Sequence, residues 1–207
     1  MQNTIIYLIR HSEQLRDYNN INNTQEENEK IVLSVAGEKK AERLSLNNEL
    51  INISEIWSSN YSRAIGTAKY IAHRNNLKIN IDNRLNEKNF GNLEELKRLG
   101  ETKEHPYTIE QIINTKLKCT DGENMLEVKE RMEKAINEIL QNNLGQKVVI
   151  VSHGAAIKFY LSKWCEFREN KLLHNNTEIT TESPSILKLT FNGENLDDIE
   201  KINLEKD

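Results

Sequence analysis

With 207 residues the chain has the length of one large α/β domain and can bury roughly 70% of its unfolded surface, enough for a full hydrophobic core. Hydrophobic residues at 37%, charged residues at 29% and only 8 Gly and 2 Pro exclude extensive disorder and favour long helices. The formal net charge of -4 excludes the broad basic surface that nucleic acid or an anionic membrane requires, so any anion site has to be a local concentration of positive charge.

Met1-Gln2-Asn3-Thr4 lacks the basic flank of a secretory signal, and the apolar run after it is too short for a signal core, so a cytoplasmic location is expected. That run, Ile5-Ile6-Tyr7-Leu8-Ile9, is β-branched and unbroken, the pattern of a strand buried on both faces of a mainly parallel sheet. It ends in Arg10-His11-Ser12-Glu13. From Asp17 to Glu29 the chain is rich in Asn, Gln and Glu and reads as a surface loop or a loop with a frayed helix. Ser34, three residues before Gly37, is a cap candidate for a helix over 35–47. A strand is expected over Ser54-Glu55-Ile56-Trp57. It runs into Ser58-Ser59-Asn60-Tyr61-Ser62-Arg63-Ala64, where Ser62 is a cap candidate and Arg63 falls in the first turn of a helix reaching Arg74. Another short strand, Lys78-Ile79-Asn80-Ile81, leads to Leu85-Asn86-Glu87-Lys88-Asn89-Phe90-Gly91.

The stretch after Phe90 departs from the strand-helix rhythm, so 90–120 is expected to form a lid segment, with a helix over 107–118 inside it. A helix over 125–141 and a second buried strand, Lys147-Val148-Val149-Ile150-Val151, lead into Ser152-His153-Gly154 and a helix over 155–166. Ser185 to Phe191, the turn signal Asn192-Gly193, and Asp198 to Leu204 read as an antiparallel hairpin. Cys119 and Cys165, the only cysteines, are too few for a disulfide framework, have no metal-ligand spacing and read as reduced thiols. No run approaches the ~18 apolar residues of a membrane span. The alternation predicts one domain over 1–207. Its class is α/β: a three-layer sandwich with a mainly parallel central sheet, helices on both faces and a C-terminal antiparallel hairpin.

The residues that carry chemistry fall at strand ends. In an open α/β sheet the carboxyl ends of the strands form the ligand crevice, so His11 and His153 would be delivered to one place. Arg63 joins them at a helix N-terminus, where guanidinium and helix both favour a phosphate, and Glu87 follows a strand at the same edge. Each has an ordinary reading alone: a structural histidine, a solvated arginine, a loop glutamate. Together, Arg10 and Arg63 bracket an imidazole, and a carboxylic acid stands ready to protonate a leaving oxygen.

These residues resemble the histidine phosphatase superfamily, also called phosphoglycerate-mutase-like. Arg10-His11 matches its Arg-His-Gly motif, and Ser58 to Ala68 is similar to its Ser-Ser-x-x-x-Arg-Ala-x-x-Thr-Ala helix start. Leu85 to Gly91 is similar to its acid loop, and Ser152-His153-Gly154 matches its second histidine. Ser34 with Gly37, and Asp121-Gly122-Glu123, are similar to weaker landmarks. The resemblance covers almost the whole chain. It implies that His11 takes the phosphoryl group, that Arg10, Arg63 and His153 bind its oxygens with Gly154 and Ser12 beside them, and that Glu87 is the proton donor. It implies neither metal nor cofactor.

Two positions depart from the pattern. The glycine after the catalytic Arg-His is Ser12, whose hydroxyl offers a donor to phosphate. The Asn common six residues after the histidine is Asp17, so Asn19 or Asn20 is expected to take over its contact. Arg16 is a further substrate-binding candidate at the mouth, as are Lys97, Arg98, His105, Lys116 and Lys118, each of which reads more simply as a solvated charge. The first functional expectation is a phosphatase acting on a small phosphorylated metabolite. The alternative is a 2,3-bisphosphoglycerate-dependent phosphoglycerate mutase, and the third an inactive binding module. Mutase-like members carry paired arginines between the acid loop and the late helices, and the short stretch from Glu87 to Thr120 has no adjacent Arg-Arg. A homodimer is compatible with the sequence.

Overall fold

The computed structural model describes residues 3–15, 24–102, 106–169 and 171–204. Arg16, Asp17, Asn19, Asn20 and His105 lie outside the described residues. The strands are β1 (Thr4–Arg10), β2 (Glu55–Ser58), β3 (Ile79–Ile81), β4 (Lys147–Ser152), β5 (Glu166–Arg168), β6 (Lys171–His174), β7 (Thr177–Glu178), β8 (Ser185–Asn192) and β9 (Asn195–Ile202). One six-stranded sheet has the order β3-β2-β4-β1-β8-β9, and a three-stranded sheet has the order β5-β6-β7. In the large sheet β1, β2, β3 and β4 are parallel, while β8 and β9 add antiparallel to the open side of β1.

The unbroken apolar runs of β1 and β4 are explained by packing on both faces. Ile6, Leu8, Val148 and Ile150 face a core built from α6 (Met125–Asn142) and α7 (Gly154–Leu161), through Val128, Met132, Ile136 and Phe159. The alternate residues Tyr7, Ile9, Val149 and Val151 face α2 (Val35–Ser45) and α3 (Ser62–Asn75), through Leu44, Ala64, Ala68 and Ile71. Each fully buried Ile or Leu contributes roughly 1.5–3 kcal/mol, so the two faces together fix the register of the central strands. The remaining helices are α1 (Gln25–Lys30), α4 (Leu93–Thr102) and α5 (Tyr107–Ile113).

The expected α/β sandwich is the observed fold, with differences at its margins. Ser34 does cap α2, its hydroxyl accepting from the Gly37 N–H at 2.9 Å, but Ser62 is inside α3, whose cap residue is Tyr61 and makes no side-chain cap bond. The helix expected to reach Glu166 stops at Leu161. Ser162 turns its hydroxyl back onto the Phe159 carbonyl at 2.6 Å, and Glu166 is already paired in β5. The helix expected over 107–118 ends at Ile113. The small sheet escaped prediction because its strands are two to four residues long in a polar stretch with no alternation to read. The 90–120 stretch holds α4 and α5, and α1 occupies the second half of the Asn-rich loop, nucleated by a Thr24–Glu27 capping box. No helix among the described residues is long and apolar enough to cross a membrane.

Candidate active site

The parallel strands end at one edge, and the backbone ties them there. The His11 N–H donates to the Ser152 carbonyl at 3.0 Å, continuing the β1–β4 ladder, and the Ser59 N–H donates to the Val151 carbonyl at 3.1 Å. The two histidines that follow β1 and β4 therefore stand side by side, ring centroids 5.0 Å apart.

His11 is only 5% exposed. Its Nδ1 lies 2.7 Å from the Ser12 carbonyl, which can only accept, so the ring proton sits on Nδ1 and the lone pair on Nε2. That Nε2 accepts from the Arg63 Nε at 3.2 Å. Burial, then the charges of Arg63 and Arg10, push the His11 imidazole down to about 3 against the pull of the Ser12 carbonyl. The ring is thus neutral with its outer nitrogen unprotonated.

His153, fully buried, is the cap residue of α7. Its Nε2 lies 2.7 Å from the Ser59 hydroxyl, which also receives the Tyr61 N–H at 3.3 Å. Nε2 and the Ser59 hydroxyl thus share one hydrogen bond, and Nδ1 is a buried ring nitrogen with no partner among the described residues. Burial, with the positive groups around it, holds His153 well below the usual histidine range.

Arg63, 3% exposed, is set by the first turn of α3; its Nη1 donates to the Asn28 carbonyl at 2.6 Å and its guanidinium lies 4.7 Å from the Tyr61 ring. Arg10 donates through Nη1 to the Thr181 carbonyl at 2.5 Å and lies along the start of α7. Gly154 makes that possible, since a Cβ there would come within 3.0 Å of the Arg10 Cζ. Glu87 approaches the same helix end from the acid loop. Its Oε1 accepts from the N–H groups of Lys88 and Ala156, both at 3.0 Å, and its Oε2 from that of Ala155 at 3.3 Å. An anion at a helix N-terminus is favoured by the unpaired N–H groups and the dipole.

Arg10, His11, Arg63, Glu87, His153 and Gly154 are thus brought to one sheet edge. Ser12 sits beside them but faces elsewhere: its hydroxyl donates to the Gly37 carbonyl at 2.7 Å and its N–H donates to the Thr67 hydroxyl at 2.9 Å, so the hydroxyl proton is engaged inside the fold. Lys97 and Lys118 lie in exposed ion pairs with Glu94 and Glu127, as expected of solvated charges.

Several supporting residues were not singled out from sequence. Arg131 donates to the carbonyls of Arg84 and Asn86 at 2.8 Å and of Glu87 at 3.2 Å, and its Nε reaches Glu123 at 2.7 Å, which in turn accepts from the Asn89 N–H at 2.8 Å. One guanidinium therefore fixes the acid loop. Asp121-Gly122-Glu123 was the available signal, but nothing local linked it to Arg131. Lys88, next to Glu87, is fully buried, bonded to Gln111 and facing Tyr107 at 3.9 Å and Phe90 at 4.6 Å. Among the described residues no cluster of His, Cys, Asp and Glu is placed to hold a metal ion.

The sequence profile of the histidine phosphatase superfamily (branch 1) matches residues 6–201. The chain belongs to that superfamily. Similar proteins include a "Probable phosphoglycerate mutase GpmB" of Escherichia fergusonii, 33% identical over 154 residues, covering 73% of this chain and 70% of that protein. The protein of the same name from Yersinia enterocolitica is 32% identical over 159 residues, 76% of this chain and 73% of its own. Among solved structures, Bacillus stearothermophilus YhfR matches with a TM-score of 0.72 at 22% identity, over 93% of this chain and 94% of that one. A mycobacterial glucosyl-3-phosphoglycerate phosphatase matches with a TM-score of 0.68 at 18% identity, over 91% of each chain. The chain is thus similar in sequence to proteins named as mutases and in fold to one named as a phosphatase.

Proposed function

We propose that this histidine phosphatase superfamily member is a phosphomonoesterase that hydrolyses a small phosphorylated metabolite in the cytoplasm, through a phosphohistidine on His11 and without metal or cofactor. The observation that carries the reading is the His11 ring: neutral by burial, its proton held on Nδ1 by the Ser12 carbonyl, its Nε2 lone pair beside the Arg63 guanidinium.

In the first step the Nε2 lone pair attacks phosphorus in line and the ester P–O bond breaks. The proton that enters on the substrate's phosphate monoanion passes through Glu87 Oε2 to the departing oxygen, so a neutral alcohol leaves. Arg10, Arg63 and His153, through Nδ1 when that nitrogen carries the ring proton, are the donors for the equatorial oxygens. In the second step Glu87, now a carboxylate, takes a proton from the water that attacks phosphorus. The N–P bond breaks, inorganic phosphate departs and His11 returns to its neutral form.

Hydrolysis is favoured over mutase action by the short stretch from Glu87 to Thr120, which lacks an adjacent Arg-Arg pair for a second phosphate. The second reading, a 2,3-bisphosphoglycerate-dependent phosphoglycerate mutase, is favoured by the name its relatives carry at 32–33% identity. The test is turnover of p-nitrophenyl phosphate and a panel of phosphoesters with and without chelator, beside a phosphoglycerate mutase assay primed with bisphosphoglycerate. Chelator-insensitive hydrolysis and acid-labile labelling of the protein, both lost in His11→Ala, are expected. Labelling that persists in His11→Ala refutes the nucleophile assignment, and primed mutase turnover exceeding hydrolysis favours the second reading.

A further inference from the structure

A cavity of about 320 Å³ opens beside Arg10, between α5, α7 and the small sheet. Its size is that of a small-molecule site. Part of its wall is apolar, from Ile109, Ile112 and Phe167, and Arg10 is common to the cavity and the phosphate-binding edge. Arg10 therefore links a phosphate held at the sheet edge to this cavity.

The polar part of the wall is unevenly compensated. Glu178 is neutralised by Lys171 at 3.2 Å and Glu182 by Lys201 at 2.6 Å. Lys158 also lines the cavity, one helical turn after Gly154 and on the same face of α7 that Arg10 lies along. Its ammonium makes no ion pair or hydrogen bond to another described residue. Burial, then the neighbouring Arg10 charge, lower it from the usual lysine range against the pull of the Glu87 carboxylate, the mark of a cation placed at a cost. Thr181, 6% exposed, lines the same cavity, and its hydroxyl has no hydrogen-bond partner among the described residues. A half-buried ammonium and an orphaned hydroxyl at one wall are two independent unmet demands of the kind a ligand satisfies.

We propose that Lys158 and Thr181 bind a second anionic group, a carboxylate or a further phosphoryl, on an alcohol portion whose apolar part packs against Ile109, Ile112 and Phe167. The assignment rests on the phosphomonoesterase reading for what happens to the ester, but the anion site is measurable without turnover. The probes are benzylphosphonate, its 4-carboxy derivative and its 4-phosphonate derivative, titrated calorimetrically into the wild type and into Lys158→Met, Lys158→Arg and Thr181→Val. Phenyl phosphate and 4-carboxyphenyl phosphate serve for turnover.

The wild type is expected to bind at least one doubly anionic probe roughly 10- to 100-fold more tightly than benzylphosphonate, the value of one charge-assisted hydrogen bond. That ratio should collapse in Lys158→Met, shrink in Thr181→Val and persist in Lys158→Arg; a lysine that only supports the fold would change all three affinities together. Preference for the carboxylate or the phosphonate identifies the natural group. An equal ratio in wild type and Lys158→Met overturns the proposal. Preferential binding with no turnover of either ester overturns the hydrolase reading and leaves the anion site standing.

Discussion

Glu87→Gln, compared on two esters of different leaving group, separates proton donation from the structural tasks of this side chain. Oε1 carries two N–H contacts at 3.0 Å and Oε2 only one, at 3.3 Å, so Oε2 is the oxygen with room for a proton to give. A glutamine can keep its carbonyl at the Oε1 position and satisfy Lys88 and Ala156. Its amide then faces the Ala155 N–H, donor against donor. The structural cost is one charge-assisted hydrogen bond, about 1.5–3 kcal/mol, plus the lost anion at the start of α7, about 0.3–1 kcal/mol. Both fall equally on every substrate.

The chemical cost does not. General acid catalysis contributes typically 10²–10⁴-fold, and only where the leaving oxygen needs the proton. The assay is kcat/KM for p-nitrophenyl phosphate and for a simple alkyl phosphate, wild type against Glu87→Gln, below the melting temperature of both. The alkyl ester should lose at least ~100-fold more than the nitrophenyl ester, because any loss of folded protein cancels in the ratio. Equal losses for the two esters would show that Glu87 positions α7 and donates no proton.

Acid should destabilise the fold through its two active-site histidines. His11 titrates near 3 when folded and near 6.5 when unfolded, so its contribution is present above pH 6.5 and is lost as pH falls toward 3; at pH 5 the loss is about 2 kcal/mol, with His153 adding in the same direction. Urea midpoints measured between pH 7.5 and 5 should fall less steeply in His11→Gln than in wild type, and parallel slopes would contradict the assignment. Lys88 acts with the same sign on the alkaline side. Burial pushes it down to about 7 from the usual 10.5, so wild-type stability should rise between those values as the unfolded chain holds a proton the folded one releases. Lys88→Met should lack that rise, and an identical pH profile would show that the aromatic faces of Tyr107, Phe90 and Phe159 fully offset the desolvation. Gly37→Ala would set a Cβ 1.9 Å from the Glu13 carbonyl oxygen, a backbone collision expected to cost about 3 kcal/mol or more and to lower Tm by roughly 6–12 °C in calorimetry.

The parts of this molecule legible in sequence are those whose signal is local. β1 and β4 announce themselves because strands packed on both faces need unbroken apolar runs, and His11 and His153 are found because each follows directly on such a run. Arg63 is found because it starts a helix after a strand. Arg131, Lys158 and Lys88 are invisible for the converse reason. Each is a charged residue of ordinary appearance, Arg131 on an amphipathic helix and Lys158 on a helix whose other residues are all buried, and its meaning comes from a partner distant in the chain or, for the Lys158 ammonium, from the absence of one among the described residues. Nothing in the helix over 125–142 distinguishes Arg131, which fixes the acid loop, from Lys134, which pairs with Glu130 at the surface.

Ser12 shows the same division at a single residue. Its departure from the family's glycine raised the expectation of a hydroxyl aimed at phosphate, because the residue type and its position were all that could be read. The direction of the side chain was decided by Gly37, whose lack of a Cβ lets α2 approach the loop after β1 closely enough for its carbonyl to receive the Ser12 proton. The Ser34 hydroxyl strengthens the same contact from the other side, donating to the Glu13 carboxylate at 2.9 Å while it caps α2. Ser12 therefore ties the loop behind His11 to α2 and so helps hold the Ser12 carbonyl where it fixes the His11 tautomer. A substitution that looked like a change in phosphate recognition acts instead on the orientation of the imidazole that would be phosphorylated.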